Sequence, residues 1–249
     1  MKIGITERGD PSLSFKWEEK LSSVDGAIIV TKNLTSNEFL GRILKHKDKL
    51  IVHSTITGLG GTFIEENVPP LTQSLRALEK LVNNGFNSEQ IVLRIDPLFH
   101  EMQEKAIPYM VLYADRLKIK RVRISFLDFY PHVIKRFQEH GLEIENDGFM
   151  LPDKKIKQFL NKFVELKELF PHISFEACGE TIPKDYRDII ESIGCISEKD
   201  LDILKIPYLN EIMGKSQQRK SCKCLNCKTE LLNQKSRCKH KCLYCYWRD

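Results

Sequence analysis

Six times between residues 2 and 182 a short apolar run gives way to a longer stretch of helical periodicity. The apolar runs lie at residues 2–6, 26–31, 50–56, 90–95, 121–126 and 173–178. The second, Gly-Ala-Ile-Ile-Val-Thr, is unbroken, as suits a strand covered on both faces of a parallel sheet. Between the runs, Ser36 is placed to cap a helix carrying Phe39, Leu40, Ile43 and Leu44. Pro69-Pro70 opens and Asn84-Gly85 closes another helix, whose inner face is Leu71, Leu75, Leu78 and Leu81. Residues 152–169 repeat Ile156, Phe159, Leu160, Phe163, Leu166 and Leu169 on one side. Strand-then-helix alternation implies a parallel α/β sheet with right-handed crossovers, curling into an open or closed barrel. The expected units are a six-fold β/α region at 1–182, a connector of short helices and loops at 183–213, and a tail at 214–249. That tail is too polar and cysteine-rich to build a core, so metal is expected to organise it.

No apolar run approaches the roughly 20 residues needed to span a bilayer, and the N-terminus lacks signal-peptide architecture. The expected compartment is the cytoplasm, where eight cysteines are better suited to be ligands than disulfides. Six of them lie between Cys222 and Cys245. The net charge of +5 is uneven: from Gly214 to Asp249, ten Lys or Arg oppose Glu230 and Asp249, giving +8 and leaving 5 − 8 = −3 elsewhere. Such a tail suits a phosphate backbone, or else offsets the charge of a thiolate cluster.

The densest chemical signal is Cys238-Lys-His-Lys-Cys242-Leu-Tyr244-Cys245, a C-x3-C-x2-C spacing that brings three soft thiolates to one loop. Two outcomes fit it: a cluster with one open position, or a zinc knuckle completed by Cys227, Cys224 or His240. A second thiolate set, Cys222, Cys224 and Cys227, lies just upstream, and Cys178 and Cys195 fall at or after the last run. Those two otherwise serve as small buried apolar residues. In a parallel sheet ligands bind beyond the strands' C-terminal ends. Arg8 and Asp10, Lys32 and Asn33, Thr57, Arg94 and Asp96, Asp128 and Tyr130, and Glu180 are all expected at that rim. Arg94 with Asp96, and Asp128 with Tyr130, are spaced i, i+2 and would share a direction in a strand. The glycines of Thr57-Gly-Leu-Gly-Gly-Thr62 either let backbone approach a ligand or form a plain turn.

Cys238–Cys242–Tyr244–Cys245 resembles the signature of the radical SAM superfamily. Its C-terminal position resembles an uncharacterised family related to the spore photoproduct lyase and DNA repair photolyase group. The resemblance extends through Glu7-Arg-Gly-Asp-Pro11, Thr31-Lys-Asn33, Asn67-Val-Pro-Pro-Leu71, Arg94-Ile-Asp-Pro97, Ser125-Phe-Leu-Asp-Phe-Tyr-Pro131 and Cys178-Gly-Glu180. It implies a partial (β/α)6 TIM-like barrel with a cysteine-rich iron–sulfur-binding tail folded over its mouth. It implies a 4Fe–4S cluster on Cys238, Cys242 and Cys245, with S-adenosylmethionine on the fourth iron. Tyr244, Glu180 and Thr57 then contact that cofactor, and Arg94, Asp96, Asp128 and Tyr130 are the catalytic candidates. Reductive cleavage would yield a 5′-deoxyadenosyl radical that takes hydrogen from a substrate, with nucleic acid or a nucleotide as the first class to consider. An electron donor such as flavodoxin or ferredoxin is implied. A second 4Fe–4S cluster is implied on Cys178, Cys195, Cys222 and Cys224. Cys227 departs from the family pattern, so Cys222, Cys224 and Cys227 with Cys178 or Cys195 serve as well. The alternative is a zinc-binding, nucleic-acid-binding module on a barrel that does no radical chemistry.

Overall fold

The structure is a computed structural model that describes residues 1–207, 223–233 and 238–248. Eight parallel strands form one sheet: β1 (Ile3–Ile5), β2 (Gly26–Thr31), β3 (Leu50–Thr55), β4 (Ile91–Leu98), β5 (Arg121–Phe126), β6 (Ser174–Cys178), β7 (Ile190–Ile193) and β8 (Lys228–Glu230). Their spatial order is β7-β6-β5-β4-β3-β2-β1-β8. The six expected strands are all present, and β2 and β5 have the expected bounds. The sheet is wider than expected and it is open, since β7 and β8 form its two edges and do not pair. The 183–213 connector contains a strand, and the polar tail supplies another, in register from Ile3↔Lys228 to Ile5↔Glu230. Metal is therefore not the sole organiser of the tail. Leu231, Leu232, Cys242, Leu243 and Tyr244 join the main apolar core.

The two-residue period of the strands divides the sheet into two chemically different faces. One face presents Ile29, Val52, Leu93, Ile124 and Phe175 to a helical layer. That layer includes α2 (Asn37–Lys45), α3 (Leu71–Asn83), α4 (Glu101–Arg116) and α6 (Asp153–Leu169), which follow α1 (Lys16–Glu19) and flank α5 (Pro131–Glu139). Phe39, Leu78, Met110 and Phe163 are each fully buried against it. Ser36 caps α2 by accepting the Phe39 N–H at 3.3 Å.

The other face is apolar across β1–β4, where Ile3, Ile5, Ile28, Ile51 and Val92 pack against Cys195, Leu201, Cys224 and Cys227. Across β5 and β6 it becomes ionic. Arg121 donates to Glu176 Oε1 at 2.8 Å and to Asp200 Oδ1 at 2.7 Å, and Arg123 donates to Glu176 Oε2 at 2.7 Å. Asp200 belongs to α7 (Glu198–Ile203), so these pairs pin that helix to the sheet. Burial alone would raise the Glu176 carboxyl, but Arg123 and Arg121 hold it below its ordinary range. Beyond this ionic band the same face opens at the strands' C-terminal ends.

Candidate active site

A cavity of about 690 Å³ lies at that C-terminal edge. This is the position at which parallel α/β sheets bind ligands, because the loops that leave the strands diverge there. Its floor and walls include Glu7 and Asp10 after β1, Thr31 and Lys32 at the end of β2, and Arg94 and Asp96 in β4. Ser125 and Asp128 follow from β5, and Cys178 and Glu180 from β6. Residues 238–242 and 244–248 form its remaining wall, so the chain's last described segment lies across the strand ends.

Three contacts seat that segment. His240 is buried, with Nε2 2.9 Å from Asp10 Oδ2 and Nδ1 2.9 Å from the Asn67 carbonyl. Asp10 also accepts the Thr31 hydroxyl at 2.7 Å and the Lys32 N–H at 2.7 Å, and these bonds with His240 hold its carboxyl low despite burial. Both ring nitrogens of His240 are thus engaged away from the thiols. Second, Tyr244 is buried, donates to Glu65, and meets the Phe99 ring edge-on at 5.5 Å. Lys32 Nζ sits 3.0 Å from Glu65 Oε1 and 5.3 Å from the Tyr244 ring centroid, a cation–π distance. Third, Arg136 of α5 donates to the carbonyl of Leu243 at 3.0 Å and to those of Cys245 and Arg248. The Leu243 N–H bonds to the Ile64 carbonyl at 3.0 Å from the opposite side.

Cys238, Cys242 and Cys245 all line the cavity. Burial raises the Cys238 and Cys242 thiols above the ordinary range, with Lys32 opposing the shift at Cys242. Any metal they ligate must displace their protons, as coordination does. Cys178, Cys195 and Cys224 gather on the far side of the same cavity. Cys178 Sγ lies 2.9 Å from Cys195 Sγ, and the Cys195 N–H donates to Cys224 Sγ at 3.0 Å. Gly194 permits this, because a Cβ there would stand 2.5 Å from the Lys223 carbonyl oxygen and 2.6 Å from Cys224 Cα. Two sulfurs on one tetrahedral zinc stand about 3.8 Å apart, farther than the Cys178 and Cys195 sulfurs are here. Among the described residues, no group of three or more His, Cys, Asp or Glu is arranged around a single metal ion. Cys227 instead packs with Ile3 and Ile5, away from the cavity, and Cys222 lies outside the described residues.

The remaining expected residues divide. Arg94 and Asp96 share a direction and form an ion pair, to which Ser125 adds a hydrogen bond. Burial opposes both charges, yet Arg94 is held above its usual range and Asp96 below, so each stays ionised near neutrality. Arg94 Nη1 also lies 3.9 Å from Cys195 Sγ. Asp128 lines the cavity but Tyr130 does not. The strand has ended at Phe126, so the i, i+2 relation fails, and Tyr130 precedes α5 and stacks on Tyr246. Glu180 accepts the Phe126 N–H at 2.9 Å. Thr57 is buried against Glu65 at 2.6 Å and lies off the cavity wall. None of the glycines at 58, 60 and 61 lines the cavity either. Gly60 instead admits the close approach of Pro69, since a Cβ would fall 2.1 Å from the Pro69 oxygen.

Sequence reasoning passed over Glu65, Arg136 and the acid–base character of Glu7. Glu7 is raised to about 7, chiefly by burial, with Cys195 adding to the shift and Lys228 opposing it. No spacing rule marks Glu65 or Arg136, whose contacts with the cysteine segment span 179 and 107 positions.

The structure is an open parallel α/β sheet with two sets of cysteines lining one crevice at its C-terminal edge. The chain belongs to the family described as a domain of unknown function, DUF1848, which matches residues 11–247. No curated protein and no solved structure matches it. Among the described residues no helix is long and apolar enough to cross a membrane.

Proposed function

We propose that the chain is a radical SAM enzyme whose open sheet curves as a partial barrel around the cavity. The observation that carries this is the meeting of Cys238, Cys242 and Cys245 with Arg94, Asp96 and Glu180 around one cavity. The donor set fits a 4Fe–4S cluster: three soft thiols on a short loop, each on a different iron, with no need to crowd around one ion. When bound, that cluster with S-adenosylmethionine supplies a carbon-centred radical that takes a hydrogen atom from substrate.

The chain's own residues bind, orient and exclude water. Lys32 and Glu65 hold the Tyr244 ring as one wall, and Thr57 supports them through Glu65. Glu180 offers a carboxylate to an ammonium group such as that of the methionine moiety. Arg94 and Asp96 present fixed charges to polar groups of the substrate, with Asp128 on the same wall. Val30, Phe126, Leu127 and Tyr244 make part of the cavity apolar, which keeps a reactive species from water. Cys178, Cys195, Cys222 and Cys224 would be the ligands of a second cluster, whose binding requires the Cys178 and Cys195 sulfurs to part from their 2.9 Å contact. Electrons come from a flavodoxin- or ferredoxin-type donor in the cytoplasm, and the substrate class is a nucleotide or nucleic acid.

The test is anaerobic purification followed by iron and sulfide analysis and incubation with S-adenosylmethionine and a strong reductant. A brown protein that releases 5′-deoxyadenosine is expected, and Cys242→Ser should lose about half its iron together with that release. A colourless protein that retains zinc would sink the proposal and favour the zinc-module alternative, in which the basic tail binds nucleic acid.

A further inference from the structure

The mouth of the cavity is edged by aromatic rings that the fold does not bury. Tyr246 and Trp247, which line the cavity, are 40% and 36% exposed, and nearby Phe149 is 45% exposed. They form one continuous group. Tyr130 stacks on Tyr246 at 5.6 Å with 30° between planes, meets Phe149 edge-on at 4.8 Å, and Trp247 lies 4.8 Å from Tyr246. The backbone beneath is fixed by Arg136 and by His132, whose Nε2 lies 3.1 Å from the Tyr246 carbonyl. Anchored, exposed rings beside a cavity make a ledge for a flat partner, because ordering them has already been done by folding.

The charge around the ledge is as specific as its shape. Lys239 and Lys241 are exposed, line the same mouth, and form no ion pair among the described residues. Deeper in, Asp10 pairs with His240 and Asp96 with Arg94. Lys239, Lys241 and Arg248 give the tail's side of the mouth its positive charge, while Asp128 and Glu180 line the same cavity from the strand side.

We propose that this ledge docks a nucleotide unit, its base stacked on Trp247 and Tyr246 and its phosphate against Lys239 and Lys241. This deepens, and rests on, the reading of the cavity as a reaction site. A planar heteroaromatic ring with an attached anion matches both features together. A purely apolar ligand leaves the lysines without a role, and a simple anion leaves the rings without one. Base–aromatic stacking is sequence-tolerant because every base has a π-face.

The chain has two tryptophans, and Trp17 is fully buried with its indole N–H on the Pro11 carbonyl, so emission changes on titration report Trp247. The probes are a nucleoside monophosphate, a single-stranded oligothymidylate of about ten nucleotides, and S-adenosylmethionine, which lacks phosphate. Quenching by either phosphate-bearing probe, lost as salt rises, is the expected result. Stronger binding of the oligomer identifies a strand as the source, and equal binding a free nucleotide. By anisotropy with labelled probes, Trp247→Ala should weaken binding about tenfold or more and Trp247→Phe far less. Lys239→Ala with Lys241→Ala should flatten the salt dependence. Absence of quenching by both phosphate-bearing probes overturns the proposal. So does binding that Trp247→Ala leaves intact, or quenching by S-adenosylmethionine alone, which assigns the ledge to the cofactor. Release of 5′-deoxyadenosine separates the two readings: if it persists without nucleotide binding, only the ledge fails, and if it is absent, the reaction-site reading fails first.

Discussion

Replacing Arg136 with Met should unseat the cysteine segment while leaving the sheet intact. The guanidinium is buried and donates to three main-chain carbonyls, those of Leu243, Cys245 and Arg248. A hydrogen bond from a charged donor contributes about 1.5–3 kcal/mol net, and a buried carbonyl left without a donor costs about 1–3 kcal/mol. Leu243 is buried, but Cys245 and Arg248 are half-buried, so water can replace two of the three bonds. A net cost of about 2–4 kcal/mol to the segment's local stability follows, which raises its open population roughly 30- to 700-fold. Hydrogen exchange reads this directly. The Leu243 amide is bonded to the Ile64 carbonyl and the Cys245 amide to the Cys242 carbonyl, and both should exchange faster by that factor. Amides of β3 and β4 should not change. Arg136→Lys should recover little, because a compact ammonium cannot span three carbonyls. Unchanged exchange at Leu243 and Cys245 in the Met variant would show that the apolar contacts of Leu243 and Tyr244 seat the segment unaided.

Two further predictions concern ionisation. Glu176→Leu leaves Arg121 and Arg123 facing each other with only Asp200 in compensation, and should cost about 3–5 kcal/mol in denaturant unfolding. In the native chain the ionised Glu176 stabilises the fold above its ordinary 4.5, and that contribution should fade as pH falls through its lowered value. Glu7 runs the opposite way. Its folded value is about 7 against an ordinary 4.5, so the folded state keeps a proton that the unfolded state loses, and stability should fall as pH rises between those values. Glu7→Gln should flatten that slope in thermal unfolding at about pH 5 and about pH 8. An unaltered slope would place the titrating group elsewhere.

The interior strands were legible because burial on both faces leaves little room for polar residues. Gly26–Thr31 and Arg121–Phe126 could be bounded to the residue, although Arg121 and Arg123 turn out to face an ionic band. The two edge strands were not legible, for opposite reasons. In β7 only Ile190 and Ile193 are buried, so the alternation is too short to stand out, and β8 is Lys-Thr-Glu, a strand only because β1 lies alongside. At the site, the i, i+2 spacing of Arg94 and Asp96 gave their shared direction, and Cys238, Cys242 and Cys245 came together on one cavity, since both relations are local. The pairing of Asp128 with Tyr130 misled because it assumed a strand that stops at Phe126. His240 looked like a metal donor by its neighbours in sequence, yet its partners are Asp10 and Asn67.

The pairing of β8 with β1 has a consequence for biogenesis. The first strand to leave the ribosome keeps one bare edge until residues 228–230 have been made, more than 220 positions later. Prematurely terminated chains therefore display a ready template for intermolecular strand addition. Cys238, Cys242 and Cys245 follow β8 in the chain, so any group they hold would meet a sheet whose strands have all been made.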